Sequence, residues 1–221
     1  MSISNIYGGT SYLMASPDQI LIAADTSQTQ EKSDTEATIH APKVGMTKRM
    51  GYSFIGIFGM INNSKIHEII NDAIEESQKF EEKIEAIIEA IMPTMQRFVH
   101  FAITRKSEPI LYAKDGVMIK IFLGSFENGY PVTGVISFNL VLDSQEKVTI
   151  EYSSDIDHSQ IQFKCIGQGG AFELFSPNIE FFKNYFPDLV DLLKGLGAIQ
   201  AILTPEDACL PIDIISISAK G

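Results

Sequence analysis

An α+β fold, arranged as a four-layer sandwich with helices outside and two sheets inside, is predicted by three features of the 221-residue sequence. Strand-like and helix-like segments occur in separate runs rather than in alternation, which is typical of α+β layering. Several strand-like segments are apolar on both faces, as expected of strands that are covered on both sides. Two pairs of helix-like segments are present that could provide this cover.

The first part of the chain is predicted to form strands. Pro17 and Asp18 form a turn signal between the first two strands, and the polar stretch from Thr26 to His40 indicates a loop or an irregular hairpin. The predicted strands are Thr10–Ala15, Ile20–Ala24, Val44–Thr47 and Tyr52–Phe58.

Two amphipathic helices are predicted next. Apolar residues recur at helical spacing from Ile66 to Ile74 and again from Ile84 to Met95. Asn63 or Ser64 is suited to cap the first helix. Pro93 is expected to kink or split the second helix, because proline lacks the amide hydrogen that a helix interior needs.

The rest of the chain repeats this order of strands followed by helices. Turn signals separate several of the strands, and leucines at helical spacing mark the last helix. The predicted strands are Val117–Leu123, Val132–Leu140, Val148–Tyr152, Ile161–Ile166 and Ile212–Ile217, and the predicted helices are Ala171–Phe186 and Asp188–Leu203.

Charge and composition argue against several classes of protein. The net charge of −11 is unlike that of nucleic-acid-binding proteins, which carry basic patches. No stretch approaches the ~18 apolar residues of a membrane-spanning helix, and the N-terminus does not read as a secretory signal. The four histidines lack metal-ligand spacing, so neither a metal nor a cofactor is expected. The sequence therefore predicts a cytoplasmic protein that binds neither nucleic acid nor membrane.

Several short motifs resemble those of proteasome β-type subunits, which belong to the N-terminal nucleophile (Ntn) hydrolases. They follow that family's order and span nearly the whole chain. The resemblance implies one Ntn-hydrolase domain over 10–221, preceded by a propeptide over 1–9. The motifs are Gly8-Gly9-Thr10-Ser11, Ile20–Thr26, Pro42-Lys43-Val44, Gly56–Gly59, Phe122–Phe126, Cys165–Gly170 and Pro211–Ile217.

The resemblance implies a threonine hydrolase that cleaves peptide or other amide bonds after residues 1–9 are removed, and it implies a set of catalytic residues. Thr10 would be the nucleophile, and the free amine that it gains when the bond before it is cleaved would be the base. Lys43 would favour deprotonation of the hydroxyl, and Asp25 would orient Lys43. The backbone N–H of Gly59 would stabilise the oxyanion, and Asp207 matches a supporting aspartate of the family.

Departures from the family pattern leave two other readings open. Gln168 and Leu210 stand where serines are expected, Ser27 stands where many active subunits carry arginine, and Thr10 precedes Asp25 by one residue fewer than is usual. The chain could therefore be an inactive structural or assembly subunit. It could also be an amidase with a small substrate rather than a peptide. Each reading implies a homo-oligomer, such as a ring.

Overall fold

A computed structural model gives the arrangement of most of the chain. It describes residues 9–32, 35–40, 42–47, 50–56, 63–104, 117–142, 148–167, 170–178, 188–205 and 210–219.

Eleven strands lie within the described residues and form antiparallel sheets. Sheet A has four strands in the order β10-β1-β2-β11, sheet B has five in the order β5-β6-β7-β8-β9, and β3 and β4 form a separate hairpin. The strands are β1 Thr10–Ala15, β2 Gln19–Asp25, β3 Ser27–Lys32, β4 Thr35–His40, β5 Val44–Thr47, β6 Met50–Gly56, β7 Val117–Glu127, β8 Tyr130–Leu142, β9 Val148–Asp157, β10 Gln162–Gly167 and β11 Ile212–Ser218.

Four α-helices also lie within the described residues. Asp188 caps the last of them, because its side chain accepts a hydrogen bond from the backbone N–H of Val190. A short 3-10 turn over Ser176–Asn178 follows the third helix. The helices are α1 Asn63–Glu76, α2 Phe80–Thr104, α3 Gly170–Phe175 and α4 Leu189–Leu203.

Three clusters of buried apolar side chains join these elements. The first lies between sheet B and helices α1 and α2, and it includes Ile87 and Phe138. The second lies between sheet A and helices α3 and α4, and it includes Leu193. The third joins the two sheets through residues such as Ile22 and Phe122, both fully buried. Burying a side chain of this size stabilises the fold by about 1.5–3 kcal/mol.

The turn between β9 and β10 carries the chain from sheet B to sheet A. Gln162 is buried there and donates hydrogen bonds to the carbonyls of Asp157 and Ser159, while its own amide oxygen accepts from Thr133. Although partial burial favours the neutral acid, hydrogen bonds from Lys164 and Ser159 lower the pKa of Asp157 to about 2. The turn is therefore fixed by both neutral and charged contacts.

Separate runs of strands and helices were predicted from the sequence, and the structure confirms them and shows that the strands pair antiparallel. A loop or an irregular hairpin was predicted for the stretch after Thr26, and the structure has a hairpin there, since β3 and β4 pair with each other. Pro93 lies inside the continuous helix α2 and does not split it. Residues 57–58 of the fourth predicted strand and 179–186 of the third predicted helix lie outside the described residues. Within the described chain, no helix is long and apolar enough to cross a membrane.

Candidate active site

A buried ion pair lies where strand β1 begins. The ammonium group of Lys43 is 2.8 Å from Oδ1 of Asp25, and the two side chains are only 7% and 4% exposed. Lys43 comes from the segment before β5 in sheet B, whereas Asp25 ends β2 in sheet A. The pair therefore connects the two sheets through charges that have been removed from water, an arrangement that is unfavourable unless both partners are present.

Thr10 contacts this pair through its backbone. Its amide nitrogen donates a hydrogen bond of 2.5 Å to Oδ2 of Asp25, so the carboxylate bridges Lys43 and the first residue of β1. Thr10 is itself 2% exposed. The structure therefore brings together three of the residues that the sequence singled out, namely Thr10, Asp25 and Lys43.

Side chains on β1 alternate between two environments. Ser11 contacts Ser53 of sheet B at 2.6 Å, and Leu13 belongs to the cluster between the sheets. Tyr12 and Met14 belong instead to the cluster beneath helices α3 and α4. Because successive side chains of a strand point to opposite faces, the side chain of Thr10 lies on the helix-facing side of sheet A.

Gly9 lies on the other side, against the ion pair. A Cβ atom built on Gly9 would be 3.0 Å from Nζ of Lys43, 3.2 Å from Oδ2 of Asp25 and 3.5 Å from Ile55, which belongs to the cluster between the sheets. Gly9 has a φ of +142°, and a Cβ at the neighbouring Gly167 would be 2.1 Å from the Gly9 carbonyl oxygen. The backbone can pass this point because both positions are glycine.

The segment that carries Lys43 is supported from β6 and α1. The Lys43 carbonyl accepts a hydrogen bond from the amide of Phe54, and the Pro42 carbonyl is 3.2 Å from Nε2 of His67. The other ring nitrogen of His67 is 2.8 Å from the Tyr52 hydroxyl. Burial lowers the pKa of His67, although its hydrogen bond to Pro42 works in the opposite direction. Helix α1 therefore helps to fix the backbone at Pro42, and strand β6 fixes it at Lys43.

Two further contacts complete this support. The Tyr52 hydroxyl also donates to Oδ1 of Asn71 in α1. Its ring lies over Gly45, where an added Cβ would be 2.4 Å from the nearest ring atom. Gly45 therefore leaves the space that lets Tyr52 reach His67 and Asn71.

The helix-facing side of sheet A disfavours negative charge. Tyr12 and Cys165 are cross-strand partners there. Burial, with a further contribution from the charges of Cys165 and Asp25, raises the pKa of Tyr12 well above its usual range. Burial, together with the charge of Glu173, raises the pKa of Cys165 to about 12.

The remaining site predictions are only partly covered. Gly59, Asp207 and Gln168 lie outside the described residues, as does the side chain of Ser27. Leu210 is described and is 51% exposed. No cluster of His, Cys, Asp and Glu within the described ranges could hold a metal ion.

Sequence reasoning did not predict the roles of Gly9, Ser11 and Ser53 at this site. Ser11 is fully buried, donates to the carbonyl of Ala23, and accepts from Ser53. One sequence signal pointed to Gly9, namely the separation between Thr10 and Asp25, which is one residue short of the family's usual value. Gly9 stands one residue earlier and has that usual separation.

Comparison with known proteins shows the fold of the chain. No family model and no curated protein sequence matches it. Solved structures do: HslV from Trypanosoma brucei has 14% identity and a TM-score of 0.51, over 95% of this chain and 99% of HslV. An Anbu mutant from Hyphomicrobium sp. strain MC1 has 9% identity and a TM-score of 0.54, over 96% of this chain and 82% of Anbu. Anbu from Pseudomonas aeruginosa, solved as a helical assembly, has 11% identity and a TM-score of 0.52, over 95% and 81% of the two chains. The chain therefore shares the fold of HslV and Anbu.

Proposed function

We propose that the chain is a proteasome-like subunit that does not cut amide bonds and serves as a structural or assembly component. The observation that carries this proposal is that the Lys43 ammonium lies against Gly9, which has no side chain that could act as a nucleophile. Thr10 contacts the pair through its backbone N–H. Thr10 is also buried in the uncleaved chain, with 2% of its surface exposed.

In this proposal the ion pair has a structural role. Asp25 binds the start of β1, and Lys43 connects it to sheet B. The cluster between the two sheets, together with the two clusters beneath the helices, supports the four-layer sandwich that the sequence predicts. We further propose a cytoplasmic homo-oligomer, either a ring or a helical array like that described for Anbu.

An electrophile that targets N-terminal threonine, such as a peptide epoxyketone, tests the absence of catalysis. We expect intact-mass spectrometry to show the unmodified full-length chain and no hydrolysis of fluorogenic peptide amides. The Thr10→Ala variant is the matched control and should behave identically. A stoichiometric adduct on the native protein that Thr10→Ala abolishes would overturn the proposal.

A second candidate is a threonine hydrolase acting on peptide or other amide bonds, with residues 1–9 as a propeptide. It is favoured by the position of the buried pair, since Asp25 bridges Lys43 and the Thr10 nitrogen. In the uncleaved chain this nitrogen is an amide and cannot act as a base. Hydrolysis of the bond after Gly9 would convert it to an amine, whose reference pKa of about 8 suits a general base.

The chemistry of this second candidate follows from that amine. The amine would take the Thr10 hydroxyl proton as Oγ bonds to the substrate carbonyl carbon, and it would return a proton to the leaving amine as the C–N bond breaks. Gly59 would donate to the oxyanion, Lys43 would stabilise the alkoxide and Asp207 would support the site. N-terminal sequencing tests it: a mature chain beginning at Thr10 supports hydrolysis, and a stable uncleaved chain contradicts it.

A further inference from the structure

We infer that residue 9, rather than residue 10, is the reactive position that the Lys43–Asp25 pair faces, so that this site lacks a nucleophile because position 9 is glycine. The inference rests on the proposed non-catalytic function and names the residue responsible for it. It concerns the geometry of the intact chain, and it can be tested without any substrate.

A side chain at position 9 would point at the ion pair. The ideal Cβ of Gly9 lies 3.0 Å from the Lys43 ammonium and 3.2 Å from the Asp25 carboxylate. These distances place the first side-chain atom of residue 9 in direct contact with both charges. A hydroxyl or thiol on that Cβ would therefore lie within hydrogen-bonding reach of Lys43.

Side chains from position 10 onwards alternate between the two faces of β1. Ser11 on one side of the strand contacts Ser53 of sheet B, and Tyr12 on the other packs beneath helix α4. Thr10 shares the side of Tyr12, whereas the Cβ direction at Gly9 points to Lys43 and to Ile55 of the cluster between the sheets. The Thr10 backbone N–H binds Asp25, and this contact does not need the side chain.

The space around Gly9 is limited by the end of a flexible side chain. A Cβ at Gly167 would meet the backbone carbonyl of Gly9, so position 167 has no room for a side chain. The closest neighbour of a Cβ added at Gly9 is instead the far end of the Lys43 side chain. Nζ of Lys43 can move by a few tenths of an ångström, so a methyl group at position 9 would displace the ammonium rather than the backbone. The φ of +142° adds strain to any such variant.

The experiment observes the Lys43 ammonium directly. Buried ammonium groups exchange hydrogen slowly with water and give separate ¹H–¹⁵N signals. The Lys43 side chain is 7% exposed, whereas the other lysines in described ion pairs are 22%, 60%, 61% and 76% exposed. The full-length chain labelled with [¹⁵Nζ]lysine is compared with two variants, Gly9→Ala and Thr10→Val. Valine keeps the shape of threonine and replaces its hydroxyl with a methyl group.

We expect Gly9→Ala to shift the Lys43 signal by several linewidths and Thr10→Val to leave it within one linewidth. A large shift in Thr10→Val would show that the Thr10 hydroxyl binds Lys43 and would overturn the inference. An unshifted signal in a folded Gly9→Ala protein would overturn it as well. Should Gly9→Ala not fold, Thr10→Val decides alone, because an unshifted signal supports the inference and a shifted one refutes it.

The result is independent of the labelling test of the proposed function. An unreactive native protein whose Lys43 signal moves in Thr10→Val leaves the non-catalytic proposal standing and removes only the assignment of residue 9. A native protein that the epoxyketone labels at Thr10 removes the proposed function itself.

Discussion

Replacement of Lys43 by methionine should destabilise the fold strongly, because it leaves the Asp25 carboxylate buried without its counter-charge. Breaking a buried pair by removing one partner typically costs about 3–5 kcal/mol. Asp25 keeps the hydrogen bond from the Thr10 amide, so we expect the lower half of that range. This is a large part of the ~5–15 kcal/mol by which domains are usually stable.

Urea denaturation measures this effect. The chain contains no tryptophan, so far-ultraviolet circular dichroism is the suitable probe. With a slope of ~2–3 kcal/mol per molar urea, the midpoint should fall by about 1–2 M. Lys194→Met is the matched control, because Lys194 and its partner Asp191 are 61% and 63% exposed, and we expect no measurable change there.

The double variant Lys43→Met with Asp25→Asn separates the charge from the packing. An asparagine at position 25 retains an oxygen for the Thr10 N–H and carries no charge, so the double variant should recover most of the stability lost in Lys43→Met. If the single and double variants unfold at the same urea concentration, the loss arises from packing of the lysine stem, and the argument from the buried charge is wrong.

Three further predictions concern other parts of the molecule. Because the pKa of Asp157 is held at about 2, its contribution to stability should be complete above about pH 5 and should be lost as the pH falls through about 2. Asp157→Asn should therefore reduce the pH dependence of the unfolding free energy measured across that window. Gly45→Ala should lower the free energy of unfolding, measured by thermal unfolding, by about 1–3 kcal/mol, because its methyl group would meet the Tyr52 ring. Gly170→Ala, where the closest contact of the added Cβ is 3.4 Å, should change this free energy little. Cys165, with a pKa of about 12, should resist iodoacetamide at pH 8 in the folded protein and react once urea unfolds it, as peptide mass mapping will report.

The order of strands and helices was predictable because local periodicity records which face of each segment is buried. Ile20–Ala24 is apolar throughout, and the structure buries β2 between the helix-side cluster and the cluster joining the sheets. The hairpin after Thr26 could not be assigned from its polar residues, because they carry no period of two. Helix α2 runs through Pro93, since packing against sheet B outweighs one lost hydrogen bond.

The candidate site shows a different limit of sequence reasoning. The types of residue were predictable, and Thr10, Asp25 and Lys43 do meet. The side of β1 that faces Lys43 was not predictable, because a shift of one residue exchanges the two faces of a strand. The separation between Thr10 and Asp25 carried that information only as a difference of one residue. The contacts of Ser11 with Ser53 could not have been predicted at all, because they depend on the packing of two sheets.

The contacts around His67 have a consequence for where hydrogen atoms can sit. The Pro42 carbonyl can only accept, so Nε2 of His67 must carry a hydrogen. When the imidazole is neutral, as its lowered pKa favours, Nδ1 is then an acceptor and takes the single hydroxyl hydrogen of Tyr52. A hydroxyl has one hydrogen, so in that state it does not donate to Oδ1 of Asn71, and when His67 takes up a proton at Nδ1 the hydroxyl donates to that oxygen. One proton on His67 thus decides which residue of helix α1 receives the Tyr52 hydrogen, while the bond from Nε2 to the backbone beside Lys43 keeps its direction.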